Sequence, residues 1–265
     1  MKAKTILGSL DADLTAQVVS RRGALAKSGK MAGALALASM PVAFGLMAKS
    51  AFAQAGGLPQ GIIDVLNFAL TLEYLEDEFY RSGLNAGVIP ADALPIFQTI
   101  SAHEAAHVAL LTGAISSGGG TPATKPNFDF TAGGTFPNPF TDYPTFQALS
   151  QGFEDTGVRA YKGQATALMA NDDILTTALQ IHSVEARHAS AVRRLRGQKG
   201  WITGNQSGIA SAAVQPIYNG EENTTQGVPG IDTAQFGTAD SASEAFDEPL
   251  TKDQVLAIAT PFIVA

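Results

Sequence analysis

The stretch Ile100-Ser101-Ala102-His103-Glu104-Ala105-Ala106-His107-Val108-Ala109-Leu110-Leu111 carries a glutamate and a histidine three residues apart inside an otherwise apolar run. On a helix such residues share a face, so Glu104 and His107 present a carboxylate and an imidazole toward one point. Both stand in the apolar stripe itself, in line with Ile96, Ile100, Leu111 and Ala114. A single Glu-x-x-His is weak evidence, because most such pairs lie on the surface. This one is repeated: Glu185-Ala186-Arg187-His188 stands 81 residues on, in the stripe Ala178, Ile181, Glu185, His188, Val192 and Leu195.

Two more stretches have helical period. The first helix is expected from about Gln60 to Ser82, with Ile62, Leu66, Ala69, Glu73, Glu76 and Tyr80 in line. The second runs from about Ala91 to Ser116, with Pro95 in its first turn, where a missing N–H is harmless. The third starts near Asp142 and lines up Phe146, Ser150, Glu154, Gly157, Tyr161, Ala165 and Leu168; the fourth starts after Asn171-Asp172 and ends before Gly200. Glu73 to Glu104 and Glu154 to Glu185 are both 31 residues, and Tyr80 and Tyr161 each follow a first-helix Glu by seven. One shift of 81 relates all these pairs, the mark of a duplicated helical hairpin. Short links join the helices within each hairpin, and a Gly-, Pro- and Thr-rich segment from Gly118 to Thr141 joins the hairpins. The expected fold is all-α: a four-helix bundle of two duplicated hairpins with one long crossover, followed by a largely irregular C-terminal tail. Within the tail only Thr251 to Ala259 looks ordered, with Thr251 as a helix cap. The tail either wraps the bundle or pairs with a neighbour.

Burying isolated carboxylates is costly, so several converging at one level need a compensating charge. Two Glu-x-x-His units and a Glu from each remaining helix give four carboxylates and two imidazoles, a ligand set for two iron or two manganese ions in a bundle core. Four carboxylates balance two divalent cations. Tyr80 and Tyr161 are placed to hydrogen-bond to those carboxylates, although taken alone they read as ordinary core tyrosines. Glu76, one turn beyond Glu73, competes with it as the ligand, but only Glu73 keeps the 81-residue register. Asp77 and Glu78 read as a solvated face and His182, which has no register partner, as structural. Arg193, Arg194, Arg196 and Lys199 suit the negative end of a helix dipole.

Through Leu72-Glu73-Tyr74-Leu75-Glu76 with Phe79-Tyr80, His103-Glu104-Ala105-Ala106-His107, Glu154 with Tyr161, and Glu185-Ala186-Arg187-His188, the chain resembles the ferritin-like superfamily. Within it the resemblance is to exported bacterial ferritin-like domain proteins related to plant desiccation-related proteins, and Ala245-Phe246-Asp247-Glu248-Pro249-Leu250-Thr251 is similar to that subgroup. The resemblance implies a ferritin-like four-helix bundle with a dinuclear metal centre and oxidase, peroxidase, catalase or iron-storage activity, depending on the branch. It implies Glu73, Glu104, His107, Glu154, Glu185 and His188 as metal ligands.

Four functions remain open at this level. The main expectation is a di-metal oxidoreductase of ferroxidase, peroxidase or manganese-catalase type, acting on dioxygen or hydrogen peroxide in oxidative or desiccation stress. The second is a non-catalytic protectant that keeps metal for stability. A mineral-storing cage is disfavoured by the tail and the crossover insertion. The last is a zinc protease, because His103-Glu104-Ala105-Ala106-His107 fits H-E-x-x-H with Glu104 as base and Glu154 or Glu185 as third ligand; it leaves the duplicate unit unexplained.

The first 53 residues carry seven Lys/Arg against two Asp/Glu, the remaining 212 ten against 22. An acidic body lacks the cationic surface that displaces counterions from phosphates, so no nucleic-acid partner is expected. The front holds Ser20-Arg21-Arg22-Gly23-Ala24-Leu25-Ala26-Lys27, an apolar run from about Met31 to Ala48, and Ala51-Phe52-Ala53. That is the layout of a cleaved, twin-arginine-type export signal over residues 1–53, giving a periplasmic or otherwise extracytoplasmic protein that touches the membrane only if the segment stays on. The bundle is expected over 54–200 and the irregular extension over 201–265. The chain has no cysteine, so no disulfide contributes. Assembly into homo-oligomers is left open.

Overall fold

The computed structural model describes residues 57–264; the front segment, 1–53, lies outside the described residues. Four long helices dominate: α1 (Gln60–Ala86), α2 (Leu94–Ser117), α3 (Tyr143–Gln164) and α4 (Asp172–Leu195). α1 packs most extensively on α2 and α3 on α4, and the two hairpins meet through α1 with α3 and α2 with α4. The fold is a four-helix bundle with one long crossover, as the sequence implies. Asp142 caps α3 by accepting from the Thr145 N–H at 2.9 Å, and Asn171 caps α4 by accepting from Ile174 at 3.0 Å, each worth about 1 kcal/mol. α1 runs a turn past the expected end, to Gly87, whose positive φ of 69° closes it. α4 stops earlier than expected, because Gly197 rather than Gly200 takes the left-handed conformation after it.

The interior of the bundle is split in two, and a third, smaller apolar cluster lies where Leu250, Val255 and Ala259 of the tail cover Phe68, Leu72 and Ala160. Leu75, Phe79, Tyr80, Phe97, Ile100, Phe146, Phe153 and Val192 form one apolar cluster, and Leu66, Leu70, Leu111, Ile115, Tyr161, Leu168, Ile174 and Ile181 form another. Each helix passes from one cluster to the other, and on each the acidic and imidazole residues fall between them. The polar layer therefore lies mid-bundle, sealed at both ends by apolar packing.

The crossover and the tail clasp one another. Strand β1 (Asn127–Phe128) pairs antiparallel with β4 (Ile263–Val264), and the Asp129 N–H donates to the Phe262 carbonyl at 2.8 Å. Between them the tail forms a short hairpin of β2 (Thr225–Gln226) and β3 (Ile231–Asp232), then helices α5 (Ala239–Ser243) and α6 (Lys252–Ala259). Thr251 does cap α6, in a reciprocal pairing with Gln254. The tail wraps the bundle: the Leu250 N–H donates to the Arg159 carbonyl at 3.1 Å. Gly163 permits that approach, since a Cβ there would stand 1.9 Å from the Leu250 oxygen. Among the described residues no helix is long and apolar enough to cross a membrane.

Candidate metal centre

All six expected donor residues meet in the mid-bundle layer, each buried. Donor atoms of Glu73, Glu104, His107 and Glu185 lie within 4.8 Å of one another, as do those of Glu104, Glu154, Glu185 and His188. Glu104 and Glu185 belong to both groups, so two positions sit side by side with these two carboxylates between them. His107 Nδ1 lies 3.2 Å from Glu73 Oε2, 3.0 Å from Glu104 Oε2 and 3.1 Å from Glu185 Oε1. His188 Nδ1 lies 2.9 Å from Glu104 Oε1 and 3.2 Å from Glu154 Oε2.

The tyrosines complete the symmetry by crossing between hairpins. Tyr80 donates to Glu154 Oε1 and Tyr161 to Glu73 Oε1, both at 2.5 Å. Each bond ties down one carboxylate oxygen and leaves the other facing a histidine. A single Nδ1–H can serve only one of the oxygens around it. Glu104 Oε1, Glu154 Oε2, both Glu185 oxygens and His188 Nδ1 accordingly have no partner in hydrogen-bond geometry despite their proximity. Buried polar atoms are rarely left so. Convergent carboxylate and imidazole donors without partners fit a pair of cations, and carboxylate with imidazole suits iron and manganese alike.

Without cations the layer is electrostatically frustrated. Burial pushes Glu73 up to about 7 against the pull of His107. Burial, then the charges of neighbouring carboxylates, push Glu185 and Glu76 well above the usual range, and burial raises Glu154. Glu104 goes the other way: burial opposes its charge, but the imidazoles of His107 and His188 beside it outweigh burial and hold the carboxyl low. Burial likewise disfavours charge on His188, yet Glu154 and Glu104 push it up to about 11, and His107 is raised well above its ordinary value by Glu73 and its other partners. The two imidazoles hold protons where cations would sit.

Several neighbours differ from their sequence reading. His103 stands outside both groups; its Nδ1 lies 2.9 Å from His188 Nε2, with the rings stacked at 5.1 Å. Burial and His188 lower its pKa, and its contact with Nε2 holds the His188 ring in place. The H-E-x-x-H reading needs His103 and His107 on one cation, and His103 belongs to neither donor group. Asp77 is buried and paired with Arg81 at 2.7 Å rather than solvated. Arg193 is no dipole cation on a surface: it is buried against Asp155, with Nη2 2.6 Å from Oδ2, and Tyr218 of the tail donates to that oxygen at 2.8 Å. His182 is half-buried on the flank, outside both groups. Glu76 is also outside them, although buried beside them.

The sequence model of one family, described as a ferritin-like domain, matches residues 61–198, which is just over half of the chain and covers all four helices and every donor named above. No curated protein matches the chain.

Proposed function

The chain belongs to the ferritin-like domain family, and from that premise we propose that it is an exported oxidoreductase using a dinuclear iron or manganese centre against dioxygen or hydrogen peroxide, in defence against oxidative or desiccation stress. One observation carries the reading: two four-residue donor groups share Glu104 and Glu185 and leave five buried donor atoms without hydrogen bonds. Glu73 and His107 would hold one ion, Glu154 and His188 the other, and Glu104 and Glu185 both. Held there, such a pair would make available the two electrons that reduction of dioxygen or peroxide requires, or that disproportionation of peroxide exchanges.

The chain's own residues prepare that chemistry. Tyr80 and Tyr161 fix the outer carboxylates, so the donors stand in place before loading. His103 Nδ1 engages His188 Nε2, which leaves Nδ1 of His188 facing the centre. The two apolar clusters exclude bulk water, which strengthens every charge interaction between them. Export rests on the residues of the front segment, and the stress role on the resemblance given above.

The test is turnover of peroxide, and of Fe²⁺ with dioxygen, by the mature chain loaded with iron or with manganese. Activity abolished by Glu104→Ala supports the oxidoreductase. Metal retained with no turnover of either oxidant assigns a structural role instead.

A further inference from the structure

Where the crossover, α3 and the tail meet, the packing leaves a cavity of ≈ 130 Å³ that none of the six metal donors lines. Protein interiors hold few voids larger than a water, so a space of this size is unusual. Its floor is buried and apolar: Phe136 of the crossover, Leu149 and Phe153 of α3, and Val214, Ile217 and Phe262 of the tail. Its rim is exposed, at Thr135, Ala213, Ala257 and Pro261. Among the described lining residues only Thr135 has a polar side chain. The Gly152 and Phe262 carbonyls already accept, from the Thr156 hydroxyl at 2.6 Å and the Asp129 N–H at 2.8 Å, and Pro216 and Pro261 have no N–H to donate. A held water needs two to four polar partners, so this floor suits an apolar guest better than water.

We propose that this cavity is a binding site for one small phenol, its ring among the floor residues and its hydroxyl at Thr135. Volume sets the size, because an apolar cavity of about 150 Å³ takes a single benzene ring. The aromatic lining sets the kind of ring. Phe262 stacks on Phe136 with centroids 5.9 Å apart and meets Phe153 edge to face at 5.0 Å. A further aromatic ring joins such a cluster through offset or edge-to-face contacts that a saturated ring does not make. The rim sets the orientation. With the hydroxyl at exposed Thr135, the carbon para to it points into the buried floor. A tyrosine side chain joins its polypeptide at that carbon and is thereby excluded, so the ligand is a free molecule. Because no donor residue lines the cavity, this site stands whether or not the mid-bundle layer holds metal.

Phenol is the probe, titrated calorimetrically into the purified mature protein beside toluene, cyclohexanol and N-acetyltyrosinamide. Phenol is expected to bind one per chain and more tightly than cyclohexanol, and N-acetyltyrosinamide not to bind. Ala148→Leu fills the cavity from α3 and should weaken phenol and toluene alike by about tenfold or more, since its side chain takes the space the ring needs. Should that variant fail to fold, Ala257→Leu fills the same space from the exposed rim and must have the same effect. Thr135→Val removes the hydroxyl and keeps the shape; it should weaken phenol by about threefold to tenfold, the worth of one hydrogen bond, and leave toluene unchanged. The proposal is overturned if phenol gives no binding heat, or if a folded, filled variant binds it with wild-type affinity. Cyclohexanol binding as tightly as phenol overturns the aromatic class, and N-acetyltyrosinamide doing so overturns the free ligand in favour of a tyrosine side chain.

Discussion

Replacing Glu185 by glutamine should make the metal-free protein more stable while abolishing its stabilisation by metal. Glu185 is wholly buried, neither oxygen has a hydrogen bond, and burial and its carboxylate neighbours push its pKa well up. An unsatisfied buried polar group costs about 1–3 kcal/mol, and a glutamine of the same shape can donate its amide to a neighbouring carboxylate. The metal-free variant should therefore gain about 1–3 kcal/mol, which for a domain of this size raises Tm by roughly 2–12 °C. Bound cations reverse the sign. At a hundredfold excess over Kd, one ion stabilises the native state by about 2.7 kcal/mol, and Glu185 is shared by both donor groups. Differential scanning calorimetry of both proteins, with chelator and with added Fe²⁺ or Mn²⁺, reads all four values. A metal-free variant that melts lower than wild type, with the metal-induced shift intact, would refute the reasoning.

Three further outcomes follow from the same geometry. Asp155→Ala strands the buried Arg193 guanidinium and removes the acceptor of Tyr218; a loss of about 3–5 kcal/mol in denaturant unfolding, with faster proteolysis after residue 200, is expected. Stability of the metal-free protein should fall as pH rises. Glu73 is raised to about 7 and His188 to about 11, so the native state binds more protons than the unfolded chain from about pH 4.5, through Glu73, and again above about 6.5, through His188. Cations displace those protons, so metal affinity should rise with pH, and calorimetric titrations in buffers of different ionisation enthalpy should show proton release. Tyr80→Phe and Tyr161→Phe should each weaken metal binding by about 10–100-fold and to a similar extent, because their bonds to Glu154 and Glu73 have the same length; competition with a chelator checks both.

The bundle and its polar layer were legible because both are written within single helices. A glutamate standing in the apolar stripe at helical period is buried by the same face that builds the core, and the 81-residue shift identified which glutamates belonged together. Contacts that depend on distant chain were not legible in this way. Asp155 meets Arg193 and Tyr218 across 38 and 63 residues, and Arg159, buried in α3, binds Glu221 of the tail at 2.7 Å; no period within one helix announces such partners. His103 was visible only as part of an H-E-x-x-H string, since its role comes from His188, 85 residues on. Whether the tail wraps the bundle or pairs with a neighbour stayed open for a related reason. Leu250, Val255 and Ala259 pack on Phe68, Leu72 and Ala160, and single anchors such as the Leu250 N–H on the Arg159 carbonyl add to that hold, but these apolar residues are scattered through an otherwise polar tail rather than set at a regular period.

The most direct test of the dinuclear centre is metal content per chain, measured by mass spectrometry on the mature protein beside Glu104→Ala and Glu73→Ala, all reloaded identically. Because Glu104 belongs to both donor groups and Glu73 to one, the wild type should hold about two iron or manganese ions, Glu73→Ala about one and Glu104→Ala almost none. A wild-type protein that holds one zinc, or no metal after reloading, would contradict the account.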